Sequence, residues 1–139
     1  MLSLILILLF AALSVIHVYW LIRGPRSMPA VIPTRDGKPA FIPSRLATFL
    51  VATGLLCCAG LVAALSGWIR IQVPPGQLTL LGDAIAGAFL LRAIGDFRLL
   101  GFFKRVRGTK FALLDTVLYS PLCLGIAAGV FWITLRRAP

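Results

Sequence analysis

The sequence predicts an all-α integral membrane protein, a four-helix bundle with both termini outside. Three observations carry that expectation. The 139 residues are 60% hydrophobic and 13% charged, against about 45–50% and about 25% in soluble globular domains. The apolar residues fall into four runs, each long enough to cross a bilayer. The basic residues collect in alternate loops. A soluble fold of this size has no interior for so much apolar surface, and the same composition excludes a disordered chain. The length suits one domain, 1–139.

The first span covers about 2–22. No basic residue precedes it, and Arg23 and Arg26 follow. That polarity marks a retained helix rather than a cleaved signal peptide. The loop after it contains Arg23, Arg26, Arg35, Lys38 and Arg45. In this loop Pro29-Ala30-Val31-Ile32-Pro33-Thr34-Arg35 nearly repeats as Pro39-Ala40-Phe41-Ile42-Pro43-Ser44-Arg45, around Asp36-Gly37. Asp-Gly favours a two-residue β-hairpin turn, whereas the prolines favour an extended polyproline-like excursion. Both conformations stay open.

The second span covers about 46–69, and Pro74-Pro75-Gly76 makes a tight turn after it. The third, about 78–100, carries Asp83, Arg92 and Asp96. The loop beyond holds Arg98, Lys104, Arg105, Arg107 and Lys110 beside Phe102-Phe103. That mixture suits the headgroup layer, rings in the interface and cations on phosphates. The fourth span, about 111–135, carries Asp115, and Pro121 inside it frees the carbonyl of Val117. Gly60 with Ala64, Ala63 with Gly67 and Gly125 with Gly129 are small-xxx-small pairs that seat neighbouring helices and leave the oligomeric state open.

Ten basic residues thus lie in the first and third loops, against Arg70, Arg136 and Arg137 on the other side. The positive-inside rule puts those two loops in the cytoplasm and both termini outside. Trp20, Trp68 and Trp132 fall near span ends, where an aromatic belt sits. The formal net charge of +10 therefore reads as topology and as attraction to anionic lipid at the cytoplasmic loops, not as nucleic-acid binding. The bacterial cytoplasmic membrane is the expected location. Cys57, Cys58 and Cys123 lie in apolar runs without a C-x-x-C, so neither metal nor cofactor is expected.

Charge inside a bilayer is costly and requires a partner or a role. Arg92 and Asp96 are four apart on the third span, and Asp115 and Tyr119 are four apart on the fourth. Depth along the helices places His17, Asp96 and Asp115 in one layer near the cytoplasmic side, with Arg92 and Tyr119 in the next. These five residues are the candidate site. They fit a polar cavity built from an imidazole, a guanidinium, two carboxylates and a phenol. They fit equally an ion-pair network that only pins the helices. Asp83 lies at the opposite end, near the start of its helix, where a carboxylate is favoured.

The run Arg92-Ala-Ile-Gly95-Asp96-Phe97-Arg98, with Gly101-Phe102, Thr109, Phe111, Asp115-Thr116 and Tyr119-Ser120-Pro121-Leu122, resembles a family of small bacterial four-helix membrane proteins, a domain of unknown function. His17-Val-Tyr-Trp20 and the Asp36-Gly37 region share the likeness. The resemblance implies four transmembrane helices and no particular activity. Three functions follow from the residues. One is binding or transport of a small polar or anionic molecule at the intramembrane arginine. Another is acid–base catalysis on a lipid-like substrate. The last is an accessory role in which the polar cluster is structural.

Overall fold

The computed structural model describes residues 1–24, 31–35 and 38–137, with the backbone alone at 35. Four helices are long and apolar enough to cross a membrane: Leu2–Arg23, Arg45–Leu65, Pro75–Ile94 and Lys110–Arg137. We label the first three α1, α2 and α3. The fourth is broken into α4 (Lys110–Leu114), a π-helical turn (Asp115–Tyr119) and α5 (Ser120–Arg137). Between α1 and α2, β1 (Thr34–Arg35) pairs antiparallel with β2 (Lys38–Pro39), Arg35 opposite Lys38. The Asp36-Gly37 turn lies outside the described residues.

Helix ends follow local chemistry. Residues 2–23 contain neither Gly nor Pro, and α1 stops at Gly24. Ser44 caps α2 by accepting from the Ala47 N–H at 3.1 Å, one of the orphan donors of a first turn. At its far end Gly67 takes φ +76°. The Gly67 N–H bonds to Ala64 O, and that of Trp68 to Ala63 O. This double closure is a Schellman motif, and it ends α2 at Leu65, short of the expected 69. Pro75 occupies the first helical position of α3, where its missing N–H costs nothing. Thr109 caps α4 through the Ala112 N–H at 3.0 Å.

The helices pack as two pairs, α1 on α2 and α3 on α5. Phe10, Val62, Ile126 and Val130 are fully buried where the pairs meet, and Phe10 meets Phe89 edge to face at 5.5 Å. Ser14 on α1 donates to the carbonyl of Ala52 on α2 at 2.8 Å. In a bilayer, apolar side chains gain little by leaving lipid for protein, so association rests on close packing. Gly82 provides one such contact: a Cβ there would lie 2.4 Å from Thr134 Cγ2. Only 17–28% of each spanning window is buried within the chain, so most of that apolar surface faces outward. That is the surface of a membrane protein.

Two further departures position the polar cluster. The third helix ends at Ile94 rather than near 100, because Gly95 takes φ +93° and Asp96 captures the next N–H groups. Pro121 is preceded by a π turn, in which the Ser120 N–H reaches back five residues to Asp115 O. The proline cannot donate to the ladder, and the wider turn just before it absorbs the mismatch.

Candidate functional site

The cluster lies where the end of α3, the loop 95–109 and the π turn meet. The loop is folded tightly on itself by its glycines. A Cβ on Gly95 would sit 1.9 Å from Leu100 O, and one on Gly101 would sit 2.3 Å from Ile94 O. Both glycines have positive φ, so the two backbone strands cross at a distance that only glycine permits. The Phe102 N–H closes the crossing onto Ala93 O at 2.9 Å. This aims the Gly101 N–H and the Lys104 side chain at the fourth span.

Asp115 stands at the centre and is fully buried. Its Oδ1 accepts from Arg92 Nη2 at 2.8 Å. Its Oδ2 accepts from the Gly101 N–H at 2.7 Å and from Lys104 Nζ at 3.0 Å. Lys104 is only 3% exposed. A buried ammonium is tolerable only when its protons find acceptors. Lys104 finds three: Asp115 Oδ2, Gly101 O at 2.9 Å and Thr116 Oγ1 at 2.6 Å. The Thr116 hydroxyl passes its own proton to Ala112 O at 3.0 Å. On this side every donor and acceptor is matched.

Arg92 is different. Its side chain keeps 32% exposure, yet Nη1 is buried without a hydrogen-bond partner among the described residues. Two cations share one carboxylate, so the cluster carries a formal charge of about +1 and one unused guanidinium edge. Tyr119 lies one turn beyond Asp115, within reach of that residue's charge, with its ring 6.1 Å from that of Phe111.

The remaining candidates lie apart from this centre. Asp96 does not pair with Arg92, because the helix that would put them on one face has ended. Its Oδ1 instead accepts the N–H groups of Arg98, Leu99 and Leu100 at 2.7–2.9 Å. Burial raises its carboxyl, but the N–H groups of Leu100, Arg98 and Leu99, with its own, outweigh that and hold it below the ordinary carboxylate range. His17 Nδ1 lies 2.7 Å from the Leu13 carbonyl of its own helix. A carbonyl can only accept, so the proton sits on Nδ1. The imidazole meets Trp20 edge to face at 4.9 Å.

Lys104, Gly101 and Thr116 are the participants that sequence reasoning missed. Lys104 reads as a headgroup cation from its neighbours, and the structure buries it instead. The usable signal was a pair of glycines six residues apart bracketing Asp96, with a lysine three residues beyond the second. Asp83, at the other end of α3, accepts from Thr134 Oγ1 at 2.6 Å, so it ties α3 to α5 rather than merely facing a helix dipole.

Fold and cluster together define a four-helix membrane protein whose third loop is locked to its fourth helix by a buried carboxylate. The chain belongs to the family described as protein of unknown function (DUF3995), whose model matches residues 10–130. That stretch takes in the whole Arg92–Lys104–Asp115 cluster. No curated protein and no solved structure matches the chain.

Proposed function

We propose that this protein binds a small anionic molecule at Arg92, at the cytoplasmic end of a four-span bundle in the bacterial inner membrane. The observation that carries the reading is the excess of cation over anion. Asp115 is shared between Arg92 and Lys104, and Arg92 Nη1 is left without an acceptor among the described residues. An anionic oxygen is the group that completes such an edge. Tyr119, one turn from Asp115, adds a phenol for a polar part of the same ligand.

The orientation belongs to the same proposal. The loops flanking this end carry most of the basic residues, which puts them inside and both termini outside. There they attract anionic lipid and raise the local concentration of an anionic ligand. The β1–β2 pair belongs to the first of these loops. Transport of the ligand would need the same site to open outward, and binding is its first requirement. An acid–base enzyme is less well supported: Asp115 is fully buried and already accepts from three donors, so a substrate proton has no open path to it. The Lys104 half of the cluster, fully matched, acts as structure.

The test is thermal denaturation of the purified protein in neutral detergent against phosphate, sulfate, small carboxylates and nucleotides. A true ligand at a hundredfold excess over its Kd stabilises by about 2.7 kcal/mol. We expect at least one stabilising anion, its effect lost in Arg92→Gln relative to that variant's own baseline and weakened by salt. No stabilisation by any anion, or the same gain in Arg92→Gln, overturns the reading.

A further inference from the structure

The opposite end of the bundle, where α1 begins and α2 and α5 end, holds a second basic feature with no part in the cluster above. An open cleft of 520 Å³ lies between these helix ends, within the roughly 300–1,000 Å³ of small-molecule sites. Leu2, Leu65 and Ile133 line it with apolar surface, and Ser66, Arg136 and Arg137 line it with polar groups.

The three polar residues differ in what the fold asks of them. Arg137 is partly structural: its Nη1 donates to Leu65 O, a carbonyl at the helix C-terminus, and adds a donor to Ala64 O, which also accepts from the Gly67 N–H. Arg136 makes no ion pair or hydrogen bond among the described residues. Its guanidinium rests over the exposed Trp132 ring, 4.6 Å from the centroid. Ser66 Oγ is buried and has no partner among the described residues, an uncommon state for a hydroxyl. No carboxylate pairs with either arginine among the described residues. Two guanidinium groups and an unmatched hydroxyl thus border one cleft with a lipid-like floor.

We propose that this cleft binds a phosphate-bearing anion, either the headgroup of an anionic phospholipid or free phosphate. The two arginines supply charge-assisted donors with a planar geometry that suits phosphate oxygens. The Ser66 hydroxyl supplies a third donor. The apolar floor accommodates the glycerol and first methylenes of an acyl chain when the source is a lipid. Trp132 lies beneath the arginine that the phosphate engages, so its emission reports occupancy.

The experiment follows Trp132 fluorescence in the full chain with Trp20→Phe and Trp68→Phe, titrated below the micellar concentration with short-chain phosphatidylglycerol and separately with inorganic phosphate. We expect a saturable change with the lipid. Arg136→Gln should weaken it at least about tenfold, the loss of one charge-assisted contact, and Arg136→Gln with Ser66→Ala should weaken it further. Neither side chain makes a hydrogen bond or ion pair among the described residues, so these variants should keep their structure, which circular dichroism checks. Phosphate that saturates the same signal and competes with the lipid identifies the free anion as a sufficient ligand. A response to lipid alone identifies the headgroup. Arg92→Gln should leave this binding unchanged, so the outcome is separable from that at the cytoplasmic end. A wild-type protein without saturable change, or a double variant that binds like wild type, overturns the proposal.

Discussion

Lys104 Nζ lies 3.0 Å from Asp115 Oδ2, and both side chains are almost completely buried, at 2% and 0% exposure. The pair joins the loop 95–109 to the fourth span and is not symmetric. Asp115 has two other donors, Arg92 and the Gly101 N–H, whereas Lys104 has no second carboxylate among the described residues. Asp115→Asn therefore strands a buried cation and weakens the Arg92 contact together, which typically costs about 3–5 kcal/mol. Lys104→Met leaves the carboxylate with Arg92 and Gly101, so its cost should be closer to the about 1–3 kcal/mol of a lost buried hydrogen bond. The double variant should lose less than the sum of the two single losses, because the stranded cation is gone. Chemical denaturation in detergent measures all three. Equal single effects that simply add would show that the two groups are not coupled.

The crossing of Gly95 and Gly101 gives a second expectation. Each has positive φ, and a Cβ on either would meet backbone closer than 2.5 Å. Alanine in such a conformation carries about 1–3 kcal/mol of strain before the clash is added. Gly95→Ala and Gly101→Ala should both lower the denaturation midpoint sharply. Gly87, inside α3, has open space around its Cβ position, and Gly87→Ala should be neutral or stabilising by about 0.5–1 kcal/mol. If all three variants behave alike, the crossing is not what holds the loop.

The spans were legible because a bilayer imposes a length and a polarity that composition reveals directly. The partnership of Arg92 with Asp115 follows from reckoning depth along two helices, which places them one layer apart. The loop was not legible. Periodicity describes residues that repeat on a helix, and it runs out at Gly95, where the backbone turns left-handed. Arg92 and Asp96 share a face only if the helix continues, and it does not. Lys104 sits among Phe102, Phe103, Arg105 and Arg107, so its neighbours suggest an exposed headgroup contact. Only the glycine crossing, a backbone feature, turns it inward. His17 is polar and sits on a spanning helix, but a carbonyl one turn back on that helix already satisfies Nδ1.

Orientation is tested by labelling. In a background with Cys57, Cys58 and Cys123 changed to Ala, Gln72→Cys lies in the loop between α2 and α3, and Lys38→Cys lies in β2. With both termini outside, a membrane-impermeant maleimide added to intact cells should modify the thiol at 72 and spare the one at 38. Permeabilising the cells should expose the second. The reverse pattern would move the Arg92 cluster to the outer side and the Arg136 cleft to the inner one.

Acid should act on the loop through Asp96. Three backbone N–H groups converge on its Oδ1, and they favour the charged form, so the folded carboxyl ionises more readily than in the unfolded chain, where its pKa is about 3.9. A depressed folded value contributes stability above the unfolded value, and that contribution is lost as pH falls through the folded one. Asp96→Asn keeps an oxygen that can accept the same N–H groups but removes the charge. At pH 6 the wild type should therefore denature at a higher temperature than Asp96→Asn. Below about pH 4 the gap should narrow, because the wild-type carboxyl becomes neutral as well. Comparing the two proteins cancels whatever acid does elsewhere in the chain, which is the same in both. A gap that stays constant or widens in acid would mean that the charge on Asp96 does not hold the turn.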